Sequence, residues 1–285
     1  MAKLLRWTGY VLGGLVALAL VAAIAVFLLS QRTLTKSVTA APSALAMPTA
    51  AQLADGPRQL HVLGCLSCHG EGLRGDKFLD EPNVATIYAP NLTLIAANAT
   101  NEQLDHAIRQ GIGHDGRPLL IMPSEGYQFM SDAEVAALIS AIRLQPKGGT
   151  EQPMPKVGPL GRLGIVSNKF HTAPELVRTF RTNRIPDLGP NLMRGRHIVE
   201  VNCAECHGPQ LKGQEVEPGV VSPDLQIAGA YDAEQFRKLL SEGVAPGKKD
   251  IGLMGRVAKR DFKYMTDEEI AAVHAYLVER ARRTP

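Results

Sequence analysis

The chain opens with a long apolar stretch that differs in pattern from everything after it. From Thr8 to Leu29 no residue is charged, and Lys3 and Arg6 precede the stretch. As a helix these residues would span about 33 Å, enough to cross a hydrocarbon core of about 30 Å. A cleaved signal peptide is the alternative, but its apolar region is shorter and ends close to the cleavage site. The pattern favours a retained transmembrane anchor over residues 1–30.

The composition of two segments indicates connections between the main parts of the chain. Residues 31–53 are rich in Ala, Thr, Ser and Pro, a composition typical of a flexible or partly extended tether. Residues 146–189 contain several closely spaced prolines and form an interdomain linker. This linker is too long for a bare connection, and its apolar residues between Leu160 and Phe180 are expected to pack over one domain.

Amphipathic helices recur in residues 54–145 and 190–285, each copy with the same order of elements. One helix in each copy has apolar residues at i, i+3 and i+4, and it ends at a glycine, Gly111 or Gly243. These apolar positions are Leu104, Ala107 and Ile108 in the first copy and Phe236, Leu239 and Leu240 in the second. The repeat predicts an all-α fold, in which a transmembrane helix is followed by two related small domains.

The last helix of each copy has its own start signal. Capping boxes begin at Ser131 and at Thr266, with Glu134 and Glu269 three residues later. An apolar helical stripe follows each of them. Each copy therefore ends with a helix that has one face to bury.

Composition and charge exclude several classes of protein. Hydrophobic residues make up 45% and charged residues 21%, which fits neither a disordered tail nor a polytopic membrane protein. The net charge of +3 is too small to indicate a nucleic-acid partner. Aromatic residues are only 5%, so the core must use aliphatic side chains or a group that is not protein.

All four cysteines of the chain lie in two copies of one motif. The copies are Cys65-Leu-Ser-Cys68-His69 and Cys203-Ala-Glu-Cys206-His207. A C-x-x-C-H motif is typical of covalent haem attachment, in which both thiols bond to the haem and the histidine binds iron. A zinc site would leave both histidines unexplained, and a redox dithiol normally lies between a strand and a helix. We therefore expect two covalently bound haem c groups.

The expected haems also indicate a compartment. Covalent haem attachment takes place outside the bacterial cytoplasm, so both domains should lie in the periplasm. The apolar helix would then be a single-pass anchor in the inner (cytoplasmic) membrane, with its N-terminus inside.

Each half resembles a class I cytochrome c domain, over about residues 54–145 and 190–282. The tandem, anchored form is similar to dihaem cytochromes that serve periplasmic dehydrogenases and terminal oxidases. This resemblance implies that His69 and His207 bind iron, and that a methionine from the loop before the last helix is the sixth ligand. It also matches Pro90 and Pro223 to the proline on the histidine side of the haem.

Each half offers two methionines for the sixth position. Met122 and Met254 lie in loops, eleven residues beyond the helix-ending glycines. Met130 and Met265 directly precede the capping boxes, where a hydrophobic staple explains them. We expect Met122 and Met254 to bind iron, with His114 the rival in the first half.

The second methionine segment departs from the family pattern at one position. Gly255 follows Met254, whereas Pro123 follows Met122 and resembles the Met-Pro of the family. The assignment of Met254 therefore has less support than that of Met122.

With His and Met on each iron, no coordination position is open to a substrate. The expected function is single-electron transfer from a dehydrogenase or quinol-oxidising complex to an acceptor such as a terminal oxidase. The protein itself would be an electron carrier or electron-transfer subunit, not an enzyme. The alternative is a dihaem peroxidase-like haem enzyme, which needs one iron without a fixed sixth ligand.

Overall fold

The computed structural model describes residues 2–217, 219–247 and 250–283, and most of these residues are helical. One long helix comes first, and two helical domains joined by a linker follow. The elements up to the end of the first domain are α1 (Ala2–Thr35), α2 (Ala50–Val62), α3 (Cys65–His69), β1 (Asp76–Glu81), β2 (Ala85–Ala89), α4 (Leu92–Asn98), α5 (Asn101–Asp105), α6 (Ser124–Tyr127) and α7 (Asp132–Arg143). A π-helical turn, His106–Gln110, continues α5 up to Gly111.

The linker contains regular structure of its own, and the second domain repeats the plan of the first. The remaining elements are β3 (Lys156–Val157), α8 (Pro159–Val166), α9 (Ala173–Thr182), α10 (Met193–Asn202), α11 (Ala204–His207), β4 (Glu215–Glu217), β5 (Val220–Val221), α12 (Ala233–Glu242), α13 (Leu253–Arg260) and α14 (Asp267–Arg283). The few short strands do not change the all-α class.

Helix α1 is the one helix in the described part of the chain that is long and apolar enough to cross a membrane. Almost all of its side chains are exposed, and only Ser30 is buried. The segment after it is irregular but is attached to the first domain. The Val38 amide donates to the Gly116 carbonyl at 3.0 Å, and Ser43 Oγ donates to Asp105 at 2.6 Å.

In each domain the first and last helices cross at a glycine. A Cβ added to Gly56 of α2 would lie 3.0 Å from the Cβ of Ala141 in α7. A Cβ added to Gly195 of α10 would lie 2.0 Å from the carbonyl oxygen of Ala272 in α14. The absence of a side chain lets both helix pairs approach closely, and each crossing lies against an apolar core.

Small strands follow each motif, a feature that the helical periodicity did not predict. Strands β1, β2 and β3 form an antiparallel sheet, and β4 pairs with β5. Because β3 belongs to the linker, its pairing with β2 attaches the linker to the first domain.

The two domains share an apolar interface. Val62 of the first domain belongs to the second core cluster, and Val201 of the second domain belongs to the first. Phe129 packs against both clusters. The domains are therefore packed together directly as well as through the linker.

Candidate haem sites

Each C-x-x-C-H motif forms a short helix whose histidine is held by a proline carbonyl. His69 Nδ1 lies 2.8 Å from the carbonyl oxygen of Pro90, and His207 Nδ1 lies 2.9 Å from that of Pro223. A carbonyl oxygen can only accept, so the proton of each neutral ring is on Nδ1. Both imidazoles are thus fixed in the tautomer that leaves the Nε2 lone pair free to bind a metal.

Burial keeps these two rings neutral. It lowers the pKa of His69 and of His207, although the hydrogen bonds to the proline carbonyls act in the opposite direction. Neither Nε2 atom is hydrogen-bonded within the described residues. Each motif therefore presents one neutral, oriented nitrogen ligand.

The four cysteines form no disulfide and lack the properties of a redox pair. Burial raises the pKa of Cys65, Cys203 and Cys206 to about 12 and that of Cys68 to about 11. A reactive dithiol needs a lowered pKa, because the thiolate is the nucleophile. Among the residues that the structure describes, no group of three or more His, Cys, Asp or Glu side chains could hold a metal ion. The geometry thus supports neither the dithiol nor the zinc alternative.

The four late methionines divide into two pairs. Met130 and Met265 are buried inside the two core clusters, as the staple interpretation requires. Met122 and Met254 are only partly buried and lie at the edges of the same clusters. His114 is exposed. This distribution agrees with Met122 and Met254 as the sixth ligands, and that assignment stays a prediction.

The two methionine segments have different local structures. Met122 lies in an irregular turn that ends at Pro123, directly before α6. Met254 is the second residue of helix α13. The sequence predicted a loop at both places, and the second prediction was wrong. Pro123 is the N-cap of α6, so Met122 stays outside that helix, whereas Gly252 is the N-cap of α13 and the helix begins directly before Met254.

Polar contacts fix the first motif against the second domain. The hydroxyl of Ser67, inside the first motif, donates to the buried carboxylate of Asp261. The rings of His61 and Tyr264 stack with their centroids 4.0 Å apart. Arg58 donates to both carboxylate oxygens of Glu269 at 2.8 Å.

The first domain also contacts the second motif, through helix α6. Helix α6 packs against α10 and α11, and α11 carries His207. A Cβ added to Gly126 of α6 would lie 2.7 Å from the carbonyl oxygen of Val201 in α10. Each motif is therefore bounded in part by the other domain.

Sequence reasoning missed two buried polar residues of α6. Burial raises the pKa of Glu125 to about 8, so this carboxyl is protonated at neutral pH. The hydroxyl of Tyr127 donates to the carbonyl of Leu63, just before the first motif. No local pattern could have identified either residue, because their surroundings come from distant parts of the chain.

A basic cleft opens beside the first motif at the domain boundary. Its volume is about 430 Å³, and Leu66 and Ser67 of the motif form one wall. Lys259, Arg260 and Lys263 of the second domain line the opposite side, and all three are exposed. The positive charge of Arg260 is partly neutralised by Asp261, whose carboxylate lies 3.2 Å from the guanidinium.

Comparison with known families agrees with this geometry in both halves. The sequence model of the cytochrome c family matches residues 192–281. The model of cytochrome c oxidase, cbb3-type, subunit III matches residues 51–140. Both halves of the chain are class I cytochrome c domains. The cytochrome therefore contains two covalently bound haem c groups, one for each C-x-x-C-H motif.

The curated relatives of this cytochrome are subunits of dehydrogenases. It is 25% identical over 248 residues to the fructose dehydrogenase cytochrome subunit of Gluconobacter japonicus. It is 24% identical over 251 residues to the alcohol dehydrogenase (quinone) cytochrome c subunits of Gluconacetobacter polyoxogenes and Komagataeibacter europaeus. These alignments cover 75% of the chain but only 49% to 52% of the relatives. The chain thus spans about half the length of the curated relatives it matches.

The residues present fit a covalent haem in each half. Two thiols and one correctly protonated imidazole are gathered on each motif helix. An apolar cluster lies behind each helix and can bury an apolar macrocycle. The low aromatic content is consistent with a core that a bound group completes.

Proposed function

We propose that this cytochrome is a membrane-anchored electron relay of the periplasm, in which electrons pass from one haem to the other. Electrons would enter from a dehydrogenase or quinol-oxidising complex and leave to an acceptor such as a terminal oxidase. The observation that carries the proposal is the placement of both motif helices at one interdomain interface. Ser67, Gly126 and Arg58 contribute contacts that fix this interface.

The proposed axial ligands are His69 with Met122 and His207 with Met254. A haem c bound by His and Met exchanges one electron and has no open coordination position. The protein buries each site, and the carbonyl of Pro90 orients the first imidazole. The second imidazole is oriented in the same way by Pro223.

Relatives that are cytochrome subunits of dehydrogenases support a dehydrogenase as the donor. They give no support to a peroxidase. The apolar helix α1 supports attachment to the inner membrane, with both haem domains on its periplasmic side.

The basic cleft is proposed as a docking site for an acidic redox partner. It brings Lys259 and Lys263 next to the first motif, so a partner bound there would lie close to the first haem. Transient redox complexes have small interfaces and use opposite charges to accelerate encounter.

The relay is tested in membranes from a strain that lacks the chain, with the full-length protein restored. Under anaerobic conditions an oxidisable dehydrogenase substrate should reduce both haems, and oxygen should then reoxidise them. Substrate-dependent oxygen uptake should fall when the chain is absent. Unchanged uptake without the chain, or turnover of peroxide by the purified protein, would contradict the proposal.

The docking site is tested by reversing its charge. The double variant Lys259→Glu with Lys263→Glu should slow electron exchange with the membranes several-fold and change its salt dependence. The double variant Lys147→Glu with Lys212→Glu makes the same change in net charge at exposed positions outside the cleft and is the control. Equal rates for the two double variants would show that the cleft is not the docking site.

A further inference from the structure

The linker helix α8 has an inverted arrangement of apolar and small residues. Its apolar side chains point outward, and Leu160, Leu163 and Val166 are 58%, 50% and 38% exposed. The glycines at the equivalent spacing, Gly158 and Gly161, face the protein. A helix on a water-soluble surface normally buries its apolar stripe and exposes polar residues. Residues Leu160, Leu163 and Val166 are called the outer face of α8 below.

Close backbone packing fixes the position of α8. A Cβ added to Gly161 would lie 2.1 Å from the carbonyl oxygen of Val84, and one added to Gly158 would lie 2.1 Å from that of Pro82. Both carbonyls belong to the turn between β1 and β2. The first domain therefore holds α8 firmly, and the outer face has no room to turn inward.

Arg162 joins α8 to the end of the anchor. Its guanidinium donates to Ser30 Oγ at 2.9 Å and to Gln31 Oε1 at 3.0 Å. The same group lies over the ring of Phe27, 4.4 Å from its centroid. Ser30 is fully buried in this contact region, and it is the one buried residue of α1.

This contact places α8 at a defined depth. The apolar stretch of α1 ends at Leu29, and the first charge after it is Arg32. Residues between these two positions lie where a membrane helix leaves the hydrocarbon core. Since α8 is bound there, its outer face lies at the level of the lipid headgroups.

The charge of the segment fits the same surroundings. No acidic residue occurs between Glu151 and Glu175, whereas Lys156, Arg162 and Lys169 all lie in this interval. Apolar side chains that enter the headgroup layer and basic groups beside them are the features of interfacial helices on anionic lipid.

We infer that α8 is a membrane-interface helix, whose outer face inserts into the lipid headgroup layer beside α1 and holds the first domain on the bilayer. The bilayer is thus contacted at two places, the anchor and the linker. The segment after α1, which the sequence predicted to be a flexible tether, would not allow the domains to leave the surface. This inference rests on the membrane anchor of the proposed function.

The test measures the depth of single spin labels on the full-length dihaem protein in nanodiscs that contain anionic phospholipid. Thioether bonds to haem occupy the four native cysteines, so an introduced cysteine is the one reactive thiol. The variants are Leu163→Cys and, as a second position on the same face, Leu160→Cys. Leu18→Cys in α1 is the lipid reference. Leu144→Cys, at a residue that is 76% exposed on the first domain, is the aqueous reference.

Accessibility to oxygen and to a water-soluble nickel complex gives the depth. We expect labels at 160 and 163 to lie between the two references, with higher oxygen and lower nickel accessibility than the label at 144 but without the extreme values of the label at 18. If they resemble the label at 144 while the label at 18 is in lipid, the inference fails and the anchor stands. If both reagents are excluded at 160 and 163, another protein covers the face and the inference also fails. A label at 18 that is accessible to nickel would contradict the anchor itself.

Discussion

Arg58 and Arg196 occupy the same position of the repeat, seven residues before the first cysteine of each motif, but they bind different parts of the molecule. Arg58 reaches across to Glu269 of the second domain at 2.8 Å. Arg196 lies 3.1 Å from Asp187 in the linker. One copy of the position joins the two domains, and the other attaches the linker.

The helix-ending glycines differ in the same way. Gly111 and Gly243 both have the left-handed conformation, with φ near +67°. A Cβ on Gly111 would lie 2.5 Å from that of Ala173 in the linker helix α9, whereas one on Gly243 would lie 2.8 Å from the carbonyl oxygen of Gly255. The linker helix α9 therefore covers Gly111, and helix α13, which carries Met254, covers Gly243.

These differences show how one domain plan serves two roles. The residues that bind haem are equivalent in the two copies, because the cofactor imposes the same requirements on each. The residues around them differ, because the linker helix α9 lies against Gly111 in the first domain, whereas helix α13 of the same domain lies against Gly243 in the second. The predictions below test whether the equivalent positions behave alike and the different ones do not.

The largest effect is expected from the methionines. Met122→Ala and Met254→Ala should each abolish the weak red absorption band of a sulfur–iron bond in one haem. The reduction potential of the same haem should fall by an amount on the order of 0.1 V, because the axial ligands determine that potential. Redox titration with optical detection measures both changes.

Met130→Ala and Met265→Ala are the matched controls. They should keep both absorption bands and lower the free energy of unfolding by about 2 kcal/mol or more, since each residue is buried in a core cluster. Loss of the band in a control, and not in its partner variant, would reverse the ligand assignment for that domain.

An intermediate effect is expected from the two arginines. Arg58→Gln leaves the partly buried Glu269 without its partner and should cost about 1–3 kcal/mol of domain coupling. Arg196→Gln should cost less, because its nearer partner Asp187 is largely exposed and the buried Glu200, 3.8 Å away, keeps its ion pair with Arg184. Thermal unfolding followed calorimetrically should separate the two domain transitions further in Arg58→Gln. An equal separation in both variants would mean that Arg58 does not join the domains.

A smaller effect is expected from pH, through the interdomain pair His197 and Glu134, whose atoms lie 2.9 Å apart. The hydrogen bond from His197 overcomes the opposing effect of burial and holds the pKa of Glu134 at about 2. The bond to Glu134 raises the pKa of His197 despite burial. The histidine contributes fully below its ordinary value of 6.5, and this contribution is lost as pH rises through the raised pKa.

The carboxylate of Glu134 sets the lower limit of the pH range in which its pair with His197 is stabilising. Its contribution is present above the ordinary value of 4.5 and is lost as pH falls through about 2. Domain coupling should therefore be strongest between about pH 4.5 and 6.5 and weaken in alkali. His197→Asn should remove this dependence, and His114→Asn, at an exposed position, should not. A dependence that survives in His197→Asn would assign it to other groups.

The sequence identified the parts of the cytochrome that depend on short-range chemistry. The capping boxes at Ser131 and Thr266 form as the pattern predicted, because each involves residues only three apart. The proline carbonyls were found through a resemblance and lie against the motif histidines. Contacts such as Arg58 with Glu269 join residues 211 apart. No local pattern encodes that contact, since the fold alone brings the two residues together.

The linker also has a feature that the sequence did not predict. Its apolar residues were predicted to pack over a domain, and α9 does so through buried Val177 and Phe180. Helix α8 turns its apolar residues outward instead. Hydrophobicity alone could not distinguish the two helices, because it does not reveal whether protein or lipid covers an apolar side chain.

The most direct test of the relay is the concentration dependence of electron exchange between the two haems. Partial, rapid photoreduction of the full-length protein produces molecules with one reduced haem, and the following redistribution is observed by absorbance in Met122→Ala, where the two haems differ spectrally. Because both motif helices lie at one fixed interface, exchange should be intramolecular. Its rate constant should then be unchanged on dilution. A rate that falls in proportion to protein concentration would contradict the account, because electrons would then pass between molecules instead of through the interface.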